Sequence, residues 1–264
     1  MTCEVWWHND LHSQWGLSRT FRGAGMHKFT LPEHIASRIM ERRGRMHPYE
    51  AIDPKKTALV VIDMQNAFLA PGAPVEIPAA RDLVPNINRL AGAVRATGGQ
   101  VAWVKVTINR ASDWPNFCNF VLGPAAARAL VAGLTEGSEG HQIWPGLDVR
   151  GGDLIVSKNR FSAFLPAACE LPELLRSRSL DTVLIVGTLT NVCSESSARD
   201  AAMLDFKTIM ISDANATRSD EEHAATLIAF LQSFGDVRTT DETVDMLRQG
   251  AGRVARVSES TALR

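Results

Sequence analysis

A chain of 264 residues, 45% hydrophobic and 22% charged with a formal net charge of −1, has the composition of a globular protein with a sizeable core. Its Lys and Arg are mixed along the chain with no basic stripe, which argues against nucleic acid or an anionic membrane surface as a partner. No apolar run reaches the roughly 18 residues of a spanning helix, and Cys3, Cys118, Cys169 and Cys193 show neither disulfide nor zinc-knuckle spacing.

Residues 1–56 read as an N-terminal arm. They hold Trp6, Trp7 and Trp15 and the basic cluster Arg42-Arg43-Gly44-Arg45. A helix is predicted over 32–43, with Pro32 in its first turn and Gly44 after its end. Aromatics left in water are costly, so the arm is expected to pack on its own domain or on a neighbouring subunit. His8 and His12 stand four apart, the spacing of a helical metal pair, but no third ligand is evident. Met26 is an alternative start. The opening residues lack the basic region and apolar stretch of a signal peptide, so a reducing cytoplasm is the expected compartment.

One domain is expected over 57–250, followed by a tail over 251–264. The run 57–63 is apolar and ends in a carboxylate, which predicts a buried strand. A helix follows over 84–97, ended by Gly98-Gly99, then strands over 100–106 and 153–157. Gly- and Ser-rich residues near 133–140 and Trp144-Pro145-Gly146 read as one long connection. Next come a helix over 167–178, a strand over 182–186 and a helix over 194–204. A strand over 207–211, a helix over 220–234, a short strand over 236–239 and a helix over 241–248 complete the pattern. Strands apolar throughout, alternating with helices, predict a mainly parallel sheet covered on both faces. The right-handed crossover rule makes this a doubly wound α/β sandwich of three layers.

In such a sheet, chemistry sits beyond the carboxyl ends of the strands. Asp63, Lys158 and Cys193 fall at three such ends. Taken singly, each has a plainer role: a turn aspartate, a solvated lysine, a buried structural cysteine. Together they make an activated nucleophile. Asp63 takes the thiol proton and later returns it to a leaving amine; Lys158 stabilises both anions. Cys193 also opens a helix, where unpaired backbone N–H groups favour a lowered thiol pKa and can hold an oxyanion. There is no G-x-S-x-G elbow, no Walker loop and no strand followed by G-x-G-x-x-G, which argues against a serine α/β-hydrolase, an NTPase and a dinucleotide enzyme.

The stretches Val60-Val-Ile-Asp63-Met64-Gln65-Asn66-Ala-Phe68, Lys158-Asn-Arg-Phe161-Ser162-Ala-Phe164, Gly187-Thr-Leu-Thr190-Asn191-Val192-Cys193, Ala198-Arg199-Asp200-Ala201, Ser212-Asp213-Ala214 and His223 together resemble the isochorismatase-like cysteine hydrolases. The likeness spans about 57–248. It implies that Asp63, Lys158 and Cys193 are the catalytic triad, that the Thr188–Leu189 peptide is cis, and that the N–H groups of Leu189 and Cys193 form the oxyanion hole. Members that hydrolyse the vinyl ether of isochorismate in phenazine or siderophore work lack the cysteine, so its presence favours C–N hydrolysis. Nicotinamidases carry metal-binding histidines after the second strand. Here that region, 107–117, has none, so neither metal nor cofactor is expected. Its Pro115-Asn116-Phe117 stretch loosely resembles ureidoacrylate amidohydrolases and related ureide or carbamoyl hydrolases.

A small amide or ureide is therefore the expected substrate, cleaved through a thioester. Candidate substrate contacts are Asn66 for a carbamoyl group, Arg160 for a carboxylate, and Phe68, Trp114 and Phe164 as apolar walls; core or turn roles compete for each. His223 is expected to be a structural hydrogen-bonding residue. The arm, the apolar surface and the resemblance point to a homo-oligomer. The two other readings are an isochorismatase-type or other enzyme on the same site, and a non-catalytic binding protein on the same scaffold.

Overall fold

A computed structural model describes residues 27–262. Six strands form one sheet: β1 (Thr57–Ile62), β2 (Gln100–Val106), β3 (Leu154–Lys158), β4 (Thr182–Thr188), β5 (Lys207–Ala216) and β6 (Asp236–Arg238). Their order is β3-β2-β1-β4-β5-β6 and every pair is parallel. The chain winds outward from β1 to β3, then restarts beside β1 and winds the other way. The switch point lies between the carboxyl ends of β1 and β4, where open parallel sheets place their ligands.

Strand alternation explains why both faces are covered. In β1, Leu59 and Val61 join one core cluster while Ala58, Val60 and Ile62 join the other. Helices α2 (Asn66–Leu69), α3 (Val84–Ala96), α4 (Pro124–Leu134) and α8 (Thr240–Ala262) serve the first face. Helices α1 (Glu33–Arg43), α5 (Leu171–Ser177), α6 (Glu195–Met203) and α7 (Asp220–Ser233) serve the second.

Beyond the short helix α2, which was not expected, the largest differences from the sequence expectation fall in four elements. Helix α4 forms inside the stretch read as a connection: Pro124 opens it, and Ala127, Leu130 and Leu134 bury one face. Helix α5 is shorter because Pro172, which lacks an N–H, is tolerated only in the first turn. Strand β5 runs on to Ala216 past a register shift, where the Asn215 amide donates to the Ile185 and Ile211 carbonyls at 2.8 Å each. Helix α8 continues through the expected tail. Gly250 does not end it; a Cβ there would lie 2.5 Å from the Ile52 carbonyl oxygen, so this glycine lets α8 approach the chain ahead of β1.

Residues 27–56 pack on their own domain. Ile35 and Ile39 of α1 are buried in the second core cluster. Arg42 and Arg43 donate to carbonyls at the end of α7, Arg43 to Leu231 at 2.6 Å, a favourable place for cations on the helix dipole. The expectations for Trp6, Trp7, Trp15, His8, His12 and Met26 lie outside the described residues. Among the described residues no helix is long and apolar enough to cross a membrane.

Gly187, next to last in β4, has φ 117°, and a Cβ there would overlap the backbone of Ile62 at the end of β1. Only glycine permits this approach. Gly187→Ala is expected to cost about 3 kcal/mol or more, whereas Gly252→Ala, with open space around it, is expected to be neutral or slightly stabilising. Urea unfolding of the two variants checks the contrast.

Candidate active site

Asp63 directly follows β1. Its φ of 51° lies in the left-handed region, which aspartate tolerates better than most residues, and its N–H donates to Val104 O at 2.9 Å. The next turn is fixed by Gln65, which is fully buried. Its amide donates to Val106 O and His141 O, both at 3.2 Å, and accepts from Val106 N–H at 2.8 Å. Gln65 thus ties the end of β1 to the end of β2.

Lys158 is the last residue of β3. It reaches over β2, and its Nζ donates to Asp63 Oδ2 at 2.8 Å and to Arg160 O at 3.0 Å. Neither side chain of this ion pair is exposed. The other carboxylate oxygen, Oδ1, is buried and makes no hydrogen bond of good geometry, although the Cys193 thiol and the Val106 N–H both act on the carboxylate.

Cys193 completes the cluster. β4 ends in the Thr188–Leu189 peptide, which is cis. A wide π-helical turn, Thr190–Ser194, then leads into α6, closed by Ser194 N–H to Leu189 O at 3.1 Å. Such turns recur at functional sites. Ser197 Oγ donates to Cys193 O at 2.6 Å and accepts from Ala163 N–H at 3.0 Å, linking the turn to the loop after Lys158. The Cys193 thiol is buried and interacts with both Asp63 and Lys158.

The electrostatics follow from this enclosure. Burial pushes the Asp63 carboxyl above its ordinary range, while Lys158 and the Cys193 thiol pull it back. Burial works against the Lys158 ammonium, but the Asp63 carboxylate and Cys193 outweigh it and keep the amine charged. Burial pushes the Cys193 thiol well up; Lys158 lowers it and the Asp63 charge raises it. The lowered thiol pKa expected from the helix start is therefore not the resting state. Burial and an adjacent carboxylate outweigh the partial charge of one helix turn. The site can hold a neutral thiol beside a carboxylate of raised basicity, with an ammonium to stabilise whichever partner is charged.

The substrate candidates separate. Trp114 sits with Phe117 and Phe161, ring centroids 4.4 and 4.6 Å away, and the Arg160 guanidinium lies 5.0 Å from its ring centre. Arg160 donates to Asn159 O and Asp113 O; among the described residues it has no acidic partner. Asn66 Nδ2 donates to Glu139 O at 2.9 Å, and its Oδ1 is buried without a partner. Phe68 is buried in the core cluster on the α3 side. Phe164 is buried in the core cluster that also holds Cys193, and it meets Phe206, the residue before β5, edge-on at 5.6 Å. No three His, Cys, Asp or Glu side chains among the described residues gather as a metal site.

The chain matches the isochorismatase domain over residues 57–242. It belongs to the isochorismatase family. An isochorismatase family protein, YwoC of Bacillus subtilis, is 33% identical over 75% of this chain and 97% of its own length. The ureidoacrylate amidohydrolase RutB of Agrobacterium fabrum is 32% identical over 76% of this chain and 93% of its own. Among solved structures, a cysteine hydrolase from Pseudomonas syringae superposes with a TM-score of 0.70 at 28% identity, covering 76% of this chain and 97% of that one. The N-carbamoylsarcosine amidase of Thermoplasma acidophilum gives 0.58 at 25%, covering 70% and 96%. The chain is an isochorismatase family hydrolase.

Sequence reasoning gave Gln65 no role of its own, although it stands two residues after Asp63. Its role follows from burial, which obliges both ends of its amide to find partners and which no local pattern shows.

Two outcomes are expected of this cluster. Lys158→Met leaves Asp63 buried without its cation and costs about 3–5 kcal/mol at neutral pH. In that variant the folded-state carboxyl pKa rises further above the unfolded value of about 3.9. The folded state then keeps a proton that the unfolded state releases, so stability falls as pH rises above about 4 and the loss is smallest below it. Urea unfolding across this range checks the sign. Asp63→Asn removes the charge that raises the thiol and leaves Lys158 to lower it. Alkylation of Cys193 by iodoacetamide is expected to speed up at neutral pH while turnover is lost; slower alkylation would contradict the assigned electrostatics.

Proposed function

We propose that the protein is a cysteine amidohydrolase that cleaves a C–N bond of a small linear ureide, carbamoyl compound or amide. The observation that carries this reading is the buried Asp63–Lys158 pair with the Cys193 thiol against it at the switch point of the sheet. The ureidoacrylate amidohydrolase and N-carbamoylsarcosine amidase likenesses support the substrate class.

As Cys193 Sγ attacks the carbonyl carbon, its proton passes to Asp63. The backbone N–H groups of Leu189 and Cys193 hold the oxyanion. When the intermediate collapses, the C–N bond breaks and Asp63 protonates the departing nitrogen. Water then adds to the acyl-enzyme, an S-thiocarbamate from a ureide or a thioester from an amide, giving a proton to Asp63, and the C–S bond breaks as the thiol is restored. Lys158 stays protonated throughout and offsets negative charge on the carboxylate or the sulfur in turn. Arg160, its guanidinium 5.0 Å from the centre of the Trp114 ring and without an acidic partner among the described residues, suits a carboxylate at the far end of the substrate. Asn66 Oδ1, buried and unpartnered, suits an N–H of the carbamoyl end. A cytoplasmic homo-oligomer is part of the same reading, with Phe120 and Val121, 82% and 66% exposed, as the apolar surface for self-association.

Ammonia release from ureidoacrylate, N-carbamoyl amino acids, biuret-type ureides, maleamate and nicotinamide tests the proposal. Ureides are expected to turn over, and Cys193→Ala to lose at least about a thousandfold in kcat. Arg160→Ala is expected to raise KM about tenfold or more for carboxylate-bearing ureides and to leave uncharged ones unchanged. Undiminished turnover by Cys193→Ala would reject the mechanism.

A further inference from the structure

Residues 27–56 lie before the matched family domain, which begins at residue 57. One side chain from this segment nevertheless reaches the support of the nucleophile turn. His27, with a side chain 7% exposed, bonds Asp220 Oδ1 through Nδ1 at 2.8 Å. Its Nε2 lies 3.0 Å from both the N–H and the carbonyl oxygen of Thr217. The ring stacks on His223, centroids 5.0 Å apart.

Both residues beneath His27 hold the turn that carries Cys193. His223 is fully buried, and its Nδ1 pairs with Thr190 Oγ1 at 2.9 Å. Thr217 Oγ1 donates to Asn191 Oδ1 at 2.6 Å. Thr190 and Asn191 are the first two residues of the wide turn, between Leu189 and Cys193. Burial pushes His223 down to about 4, and the neighbouring His27 adds to this. It is thus neutral and can stack on a second imidazole without charge repulsion. Each grip on the turn is a single hydrogen bond, and each is covered by the same ring.

We propose that His27 is a positioning residue, which locks Thr217 and His223 and through them sets the placement of Thr190, Asn191 and the backbone N–H groups beside Cys193. The segment ahead of the family domain is by this inference part of the catalytic apparatus. The inference rests on the hydrolase reading above. Oxyanion donors act only when held to within about half an ångström, so a loosened turn lowers kcat and leaves ground-state binding unchanged.

The test compares His27→Ala, His27→Gln, His34→Ala and Cys193→Ala in the full chain, with ureidoacrylate as substrate and thermal unfolding alongside. His34 is exposed on α1 of the same segment and serves as the control. His27→Ala is expected to lose at least about tenfold in kcat with KM within about twofold. The Gln variant, which can still donate to Asp220 and accept from Thr217, is expected to recover most of it; His34→Ala is expected to match the parent protein. Undiminished kcat in His27→Ala beside an inactive Cys193→Ala would overturn the positioning role and leave the hydrolase reading intact. A fall in kcat matched by an equal loss of folded protein would also overturn it. An active Cys193→Ala would instead remove the hydrolase reading on which the role depends.

Discussion

The Lys158–Asp63 pair is the constraint around which the molecule is organised. Two opposite charges, neither exposed to solvent, face each other at 2.8 Å across the breadth of β2. A pair like this is a poor investment in stability, because desolvation consumes most of the Coulombic gain. Its presence is better explained by what it provides: a carboxylate of raised basicity and a fixed positive charge, both already desolvated before any substrate arrives. The sheet supplies the geometry. β3 lies two strands from β1, so an extended lysine spans the gap, and its second hydrogen bond, to Arg160 O, fixes the loop that follows.

The sulfur is brought to this pair by the close approach of β4 to β1, which Gly187 permits. After it the chain cannot enter α6 directly. It passes through a wide turn whose two leading side chains are held by α7 and by the segment just before it. The sheet and the helices of its second face therefore meet at one turn: the strand ends below, α6 after it, and α7 with residues 27–56 beside it. The buried cluster stands on strand ends and a buried turn, and the aromatic group of Trp114 and Phe117 lies on the longer connection after β2.

Much of this was legible in the sequence, for physical reasons. Strands buried on both faces must be apolar at every position, so 57–63 and 182–186 stood out, and a lone carboxylate, amine or thiol at the end of such a run is conspicuous. What was hidden depends on neighbours distant in the chain. Gly250 resembles a helix end unless one knows that α8 must clear Ile52. Phe164 packs against Phe206, a contact between residues far apart in the chain that no local pattern shows. His27 is about 190 residues from Thr217 and carries no local pattern. The thiol pKa was misjudged for a related reason. A helix start is visible locally, whereas complete burial beside a carboxylate emerges only when β1 and β4 are adjacent.

That last point bears on how Cys193 would be activated in the proposed reaction. A preformed thiolate would need a positive environment that outweighs desolvation, and here the single ammonium is already shared with Asp63. The enclosure instead favours one mobile proton between sulfur and carboxylate, with the charge beside Lys158 in either location. Moving that proton changes where the negative charge sits but leaves the net charge of the pocket unchanged, so the desolvation already incurred is not incurred again. In the proposed hydrolase, burial, which raises both the thiol and the carboxyl, would work for the reaction, because a proton moved from sulfur to carboxylate stays beside Lys158 and can return when nitrogen departs.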